Sequence, residues 1–132
     1  MVMAKSSVVV MAMAMIALNA LSVVAITGEA TFYTPPYVPS ACFGFQDMGV
    51  MIAAASPALY ANGAACGRRY SVTCTGGTNS VPMPCKTGTS VVVTIVDLCP
   101  GCTGTSLDLS QEAFAIIANP DAGRVKIEFN QV

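Results

Sequence analysis

Six cysteines, Cys42, Cys66, Cys74, Cys85, Cys99 and Cys102, are the residues of this 132-residue chain with the most chemistry to offer. An even number behind an apolar leading segment reads first as three disulfides. Two of them frame Cys99-Pro100-Gly101-Cys102. Such a Cys-x-x-Cys can be a thioredoxin-like redox centre, but that chemistry wants a helix N-terminus at the first cysteine to lower its pKa, and here a Gly-Thr loop follows. Zinc is disfavoured, because the chain has no histidine and four cysteines would have to leave their disulfide partners. A structural bridge is the expectation, with no cofactor and no metal.

The carboxylates offer acid–base chemistry. Asp97 closes the apolar run 90–98, and Asp108 sits in Leu107-Asp108-Leu109-Ser110. From the residues alone, Asp97 reads as a strand-end aspartate bonded to loop donors and Asp108 as a cap on the approach to a helix. Thr31 and Tyr33 alternate along a strand-like segment and are ordinary there. The chain carries six basic and seven acidic residues, and one basic residue, Lys5, precedes the apolar leader. The others cluster nowhere beyond Arg68-Arg69, which argues against nucleic acid and anionic membrane as partners.

The elements that must position these groups are short. Residues 28–33 alternate and are aromatic enough for a first strand, ended by Pro35-Pro36 because proline supplies no ladder donor. Residues 34–62 read mostly as loop, and the apolar stretch 50–55 is too short and weakly periodic to assign to helix or strand. Asn62-Gly63 marks a turn, and 69–73 a strand with alternating faces. A Gly, Asn, Ser and Pro-rich hairpin or loop spans 75–88. The run 90–98 is the clearest strand, and its near-continuous apolar core suggests burial on both faces. Pro100-Gly101 turns the chain, and 107–110 leads into a helix over 111–118, with Ser110 accepting from exposed backbone donors and Glu112 complementing the dipole. Asn119-Pro120 ends it. In the last strand, 125–129, Val125, Ile127 and Phe129 point inward. Short strands, one late helix and no long parallel crossover units argue for a small closed β-barrel, all-β with small α content.

Lys5 followed by the apolar run 8–26 and the small-residue exit Val23-Val24-Ala25 reads as a signal peptide over residues 1–25, cut after Ala25, with Ala20 the second choice. The rival is an uncleaved membrane anchor, since the run approaches the ~20 residues that span a bilayer. Removal leaves one domain, 26–132, without a membrane span in the mature form. A domain near this size buries only about two thirds of its unfolded surface, so covalent staples help it.

Four pieces in fixed order resemble the first domain of expansins and the catalytic domain of family-45 endoglucanases. They are Gly28-Glu29-Ala30-Thr31-Phe32-Tyr33, Ser40-Ala41-Cys42-Phe43-Gly44, Ala65-Cys66-Gly67, and Val96-Asp97-Leu98-Cys99-Pro100 with Leu107-Asp108-Leu109-Ser110. Pro35-Pro36-Tyr37, residues 62–70 and residues 117–123 further resemble plant natriuretic peptides. The resemblance implies a six-stranded double-psi β-barrel like expansin domain 1. It also implies the bridges Cys42–Cys66, Cys74–Cys85 and Cys99–Cys102, which the spacing alone leaves open among ~15 connectivities. It places Thr31, Tyr33, Asp97 and Asp108 in a polar groove, with Asp108 matching the proton donor of family-45 glycosidases.

An inverting glycosidase also needs a second carboxylate, ~6.5 to 9.5 Å from the acid. The family-45 base lies just after the first-strand aromatics, where this chain has Thr34-Pro35-Pro36, while Glu29 sits upstream. The expectation is therefore a secreted, apoplastic, non-enzymatic signalling protein of the plant natriuretic peptide kind, acting on water and solute homeostasis without expansin or cellulase activity. Its partners would be a cell-surface receptor, engaged through 33–67, and a cell-wall polysaccharide. The alternatives are a passive glycan binder and a single-acid lytic enzyme using Asp108. No Asn-x-Ser/Thr acceptor is present.

Overall fold

The computed structural model describes residues 23–132. The segment read as a signal peptide lies outside the described residues except for Val23, Val24 and Ala25, which are exposed coil. Six strands close into a barrel in the order β1-β5-β2-β4-β3-β6, from β1 (Ile26–Tyr33), β2 (Ile52–Ala55), β3 (Arg69–Gly77), β4 (Val91–Leu98), β5 (Leu107–Ser110) and β6 (Val125–Gln131). Among the described residues two α-helices accompany them, α1 (Pro57–Tyr60) and α2 (Gln111–Ile117), with 3-10 turns at Ala61–Gly63 and Pro120–Ala122. The architecture is the mostly-β, six-stranded form of the double-psi barrel.

Alternation decides the interior. Ala30 and Phe32 of β1, Val72 of β3, Val91, Val93 and Ile95 of β4, Leu107 and Leu109 of β5 and Val125, Ile127 and Phe129 of β6 meet around Phe114 and Ile117 of α2. Strand side chains alternate between faces, so each of these strands turns its intervening residues outward. Helix α2 begins where expected: the Ser110 hydroxyl accepts from the Ala113 N–H at 3.1 Å, which satisfies one of the donors a helix start leaves orphaned.

Three sequence expectations change. The stretch left unassigned at 50–55 becomes β2, whose four residues are all buried. Residues 107–110, read as a lead-in to α2, form β5. Strand β4 is not buried on both faces throughout, since Val92 is exposed between buried Val91 and Val93. Parallel pairing is also present, β1 with β5 and β2 with β4, through connections that carry no long crossover helix. Each of these strands gains its order from two neighbours in the ring, which no local pattern announces.

Three disulfides, Cys42–Cys66, Cys74–Cys85 and Cys99–Cys102, tie the loops to this frame, and among the described residues no cysteine is free. The first pins the 34–51 loop, which is further held by the Cys42 N–H donating to the Val96 carbonyl at 3.0 Å. At Gly28 a Cβ would meet the Thr105 carbonyl oxygen at 1.8 Å, so only glycine lets β1 pass this close to the loop after Cys102.

Candidate functional site

Strand register assembles the polar residues into one transverse row. Thr31 on β1 stands opposite Asp108 on β5, Asp108 opposite Ala54 on β2, and Ala54 opposite Asp97 on β4. Because Leu107 and Leu109 fill the barrel, Asp108 between them faces outward, and its registered partners share that outer face. Asp97 joins the row through an irregularity. The β2–β4 register shifts between Ala53 and Ala54, skipping Val96, so Ile95 still points inward while Asp97 emerges beside Ala54.

The Thr31 hydroxyl donates to Asp108 Oδ1 at 2.8 Å. Burial nevertheless pushes the Asp108 carboxyl above the usual carboxylate range, against the opposing influence of that bond and of the Arg124 charge. Asp97 Oδ1 accepts from the Ala41 N–H at 2.9 Å and the Leu98 N–H at 3.0 Å, so this carboxylate fastens the 34–51 loop to the strand end. Tyr33 lies two residues beyond Thr31 on the same face. Its hydroxyl is buried without a hydrogen-bond partner, and burial with the nearby negative charges of Asp97 and Asp108 raises its pKa strongly. The four residues placed in a groove by resemblance thus occupy one surface.

Around them lie groups that sequence reasoning did not single out as partners. Arg124, just before β6, pairs with Glu29 Oε2 at 3.0 Å. Both line a polar pocket of about 220 Å³ with Thr31, Ser106 and the Cys99–Cys102 turn. The strand period places Glu29 on the face of Thr31, the one signal that could have found it. On the other side, the Tyr37 ring packs edge-on against Tyr33 with centroids 5.2 Å apart. Its hydroxyl donates to Glu112 Oε2 at 2.5 Å. Burial and this bond push the Tyr37 hydroxyl up to about 12, and the same bond draws the Glu112 carboxyl down. Glu112, read as a complement to the helix dipole, therefore also clasps the loop to α2. Beyond Tyr37 an apolar cavity of about 290 Å³ opens between the loop and the outer residues Ile52 and Val96.

Among the described residues, no group of three or more His, Cys, Asp or Glu could hold a metal, and no helix is long and apolar enough to cross a membrane. The Cys99–Cys102 bridge precedes a loop rather than a helix N-terminus.

A family model described as lytic transglycolase matches residues 52–129. An EG45-like domain containing protein of Citrus jambhiri is 66% identical over 106 residues, covering 79% of each chain. Among solved structures, a mutant of the Clavibacter michiganensis expansin in complex with cellohexaose superposes with a TM-score of 0.65 at 27% identity. That match covers 83% of this chain and 50% of the expansin, so the chain spans about half that protein's length. The Streptomyces papain inhibitor superposes with a TM-score of 0.61 at 28% identity, covering 83% of this chain and 94% of the inhibitor.

Proposed function

Because the chain belongs to the EG45-like, expansin-related family of double-psi barrels, we propose that it is secreted and holds a cell-wall glycan across the Thr31–Asp108–Ala54–Asp97 row without hydrolysing it. The observation that carries this reading is the state of the carboxylates along the row. Asp97 is occupied by two backbone donors, and Glu29 is held by Arg124. Burial gives Asp108 the raised affinity for a proton that suits a general acid. Inverting hydrolysis needs a free carboxylate base as well, and each neighbour of Asp108 is engaged elsewhere. The Thr31–Asp108 pair offers polar groups that sugar hydroxyls could bond beside the Tyr33 ring, and the expansin with a similar barrel was solved with cellohexaose.

The test is calorimetric titration with cellohexaose, paired with assay of sugar release from wall material. Binding without release is expected, weakened by Tyr33→Ala. Release by the wild type that disappears in Asp108→Asn would replace this reading with single-acid lytic cleavage, the chemistry named in the family model's description.

A second reading is signalling of the plant natriuretic peptide kind, affecting water and solute homeostasis through a surface receptor. Segment 33–67 favours it, since its 34–51 loop is bridged by Cys42–Cys66 to the turn before β3 and presents Phe45 with 81% of its surface exposed. The Streptomyces barrel, nearly all of which this chain matches, is named for action on a protein, papain. A water-uptake or cyclic GMP response of plant cells that survives Asp108→Asn would support this reading. A response lost with that substitution would remove it.

A further inference from the structure

We infer that the apolar cavity beside the polar row is a subsite for an aromatic group carried on the glycan, such as a phenolic acyl substituent. The inference rests on the glycan-binding reading and narrows it to a substrate class. The cavity and the row share a floor. Ile52 precedes Ala54 by two positions on the outer face of β2, and Val96 directly precedes Asp97 on β4. Both are almost completely covered, whereas Val38 and Val50 at the mouth are 36% and 45% exposed. The wall between cavity and row is Tyr37, edge-on to Tyr33. A chain lying over Tyr33 would therefore present any substituent on that side to the cavity.

Size and charge select the substituent. An apolar cavity of ~150 Å³ is enough for benzene, so about 290 Å³ admits a substituted ring on a short arm. The lining is chiefly aliphatic and aromatic, with Ser40, Gln46 and Asp47 as the polar groups. Asp47 Oδ1 already accepts from the Gly49 N–H at 2.8 Å, and among the described residues no lysine or arginine lines the space. An anionic ligand would meet a carboxylate and no counter-charge, while a neutral ring with a phenolic hydroxyl meets an apolar bed and polar acceptors. A bare sugar would leave its hydroxyls against Val50, Ile52 and Val96, and is the poorer occupant.

The experiment compares phenyl β-cellobioside, cellobiose, cellohexaose and phenol by calorimetry on the folded protein. Phenyl β-cellobioside should bind at least roughly tenfold more tightly than cellobiose, a difference of about 1.4 kcal/mol. Phenol should bind more weakly than the glycoside. Val50→Asp at the exposed mouth should abolish the aryl preference and leave cellohexaose affinity within about twofold, with Met48→Asp as a second variant on the same wall. Equal affinity for the two disaccharide ligands would overturn the subsite while leaving glycan binding intact. Aryl glycoside binding that phenol matches, with no response to cellobiose or cellohexaose, would overturn the glycan-borne occupant and the glycan-binding reading together. A preference retained in both mouth variants would place the ring elsewhere and overturn the assignment.

Discussion

The barrel has two unlike halves. Where β6 pairs antiparallel with β3 and with β1, residues alternate plainly: Val125, Ile127 and Phe129 face the core, and Lys126 and Glu128 face solvent. Where β5 and β2 run between β1 and β4, the strands are four residues long, two of the pairings are parallel, and the outer face carries the polar row and lies partly under the 34–51 loop. The first half spends its outer face on water. The second spends it on Thr31, Tyr33, Asp97 and Asp108, and its strands need cover on both sides. Stability and the proposed recognition thus fall to different parts of one ring.

The sharpest challenge to that division is Phe129→Ala, which empties a fully buried ring that stacks edge-on with Tyr70 at 5.5 Å. We expect a loss of about 3 to 5 kcal/mol in denaturant unfolding. A loss under ~1 kcal/mol would show that the antiparallel half does not carry the fold. Next in size is the double change Cys42→Ser/Cys66→Ser. It releases a bridge of sequence separation 24 and should cost about 3 kcal/mol on the entropic model. Hydrogen exchange should then rise over residues 34–51 while the β3–β6 amides stay protected. Uniform loss of protection would merge the halves into one cooperative unit.

Asp108→Asn tests the recognition half through pH. The folded carboxyl lies above its unfolded value, so its contribution is full below the unfolded pKa and is lost as pH rises through the raised folded one. The wild type should lose stability over that acidic window, and Asp108→Asn should flatten the slope. An unchanged slope would mean that burial at Asp108 is not felt by folding. The smallest effect belongs to the surface pair. Arg124→Gln breaks a contact between side chains that are 54% and 43% exposed, so stability should change by under ~1 kcal/mol. The Asp108 carboxyl should rise further without that positive charge, as followed by carboxylate NMR.

The same contrast explains what the sequence could disclose. Strand β6, the alternating start of β3 and the Ser110 cap were readable because each is a local pattern with a local cause. Strands β2 and β5 were not. Their residues Ile52–Ala55 and Leu107–Ser110 are too few to show a period, and their partners lie far away along the chain. The candidate row was legible only through motif resemblance, since Thr31 and Tyr33 look like any strand residues. What no motif announced were the pairings Glu29–Arg124 and Tyr37–Glu112, which join residues 95 and 75 positions apart. Such pairs follow from ring closure, and ring closure is a property of the whole chain.

Gly28 carries a consequence for inheritance as well as for packing. The atom that any replacement would add meets the Thr105 backbone at 1.8 Å, and Thr105 in turn donates its hydroxyl to the Thr27 carbonyl at 2.5 Å. A mutation there would have to push away the loop that holds Cys102 and Ser106 against the polar pocket. In a saturation screen scored on binding of the proposed glycan, this glycine would therefore be as intolerant as a residue that touches the ligand. A map of such intolerance would outline the seam between β1 and the loop before it outlined the ligand.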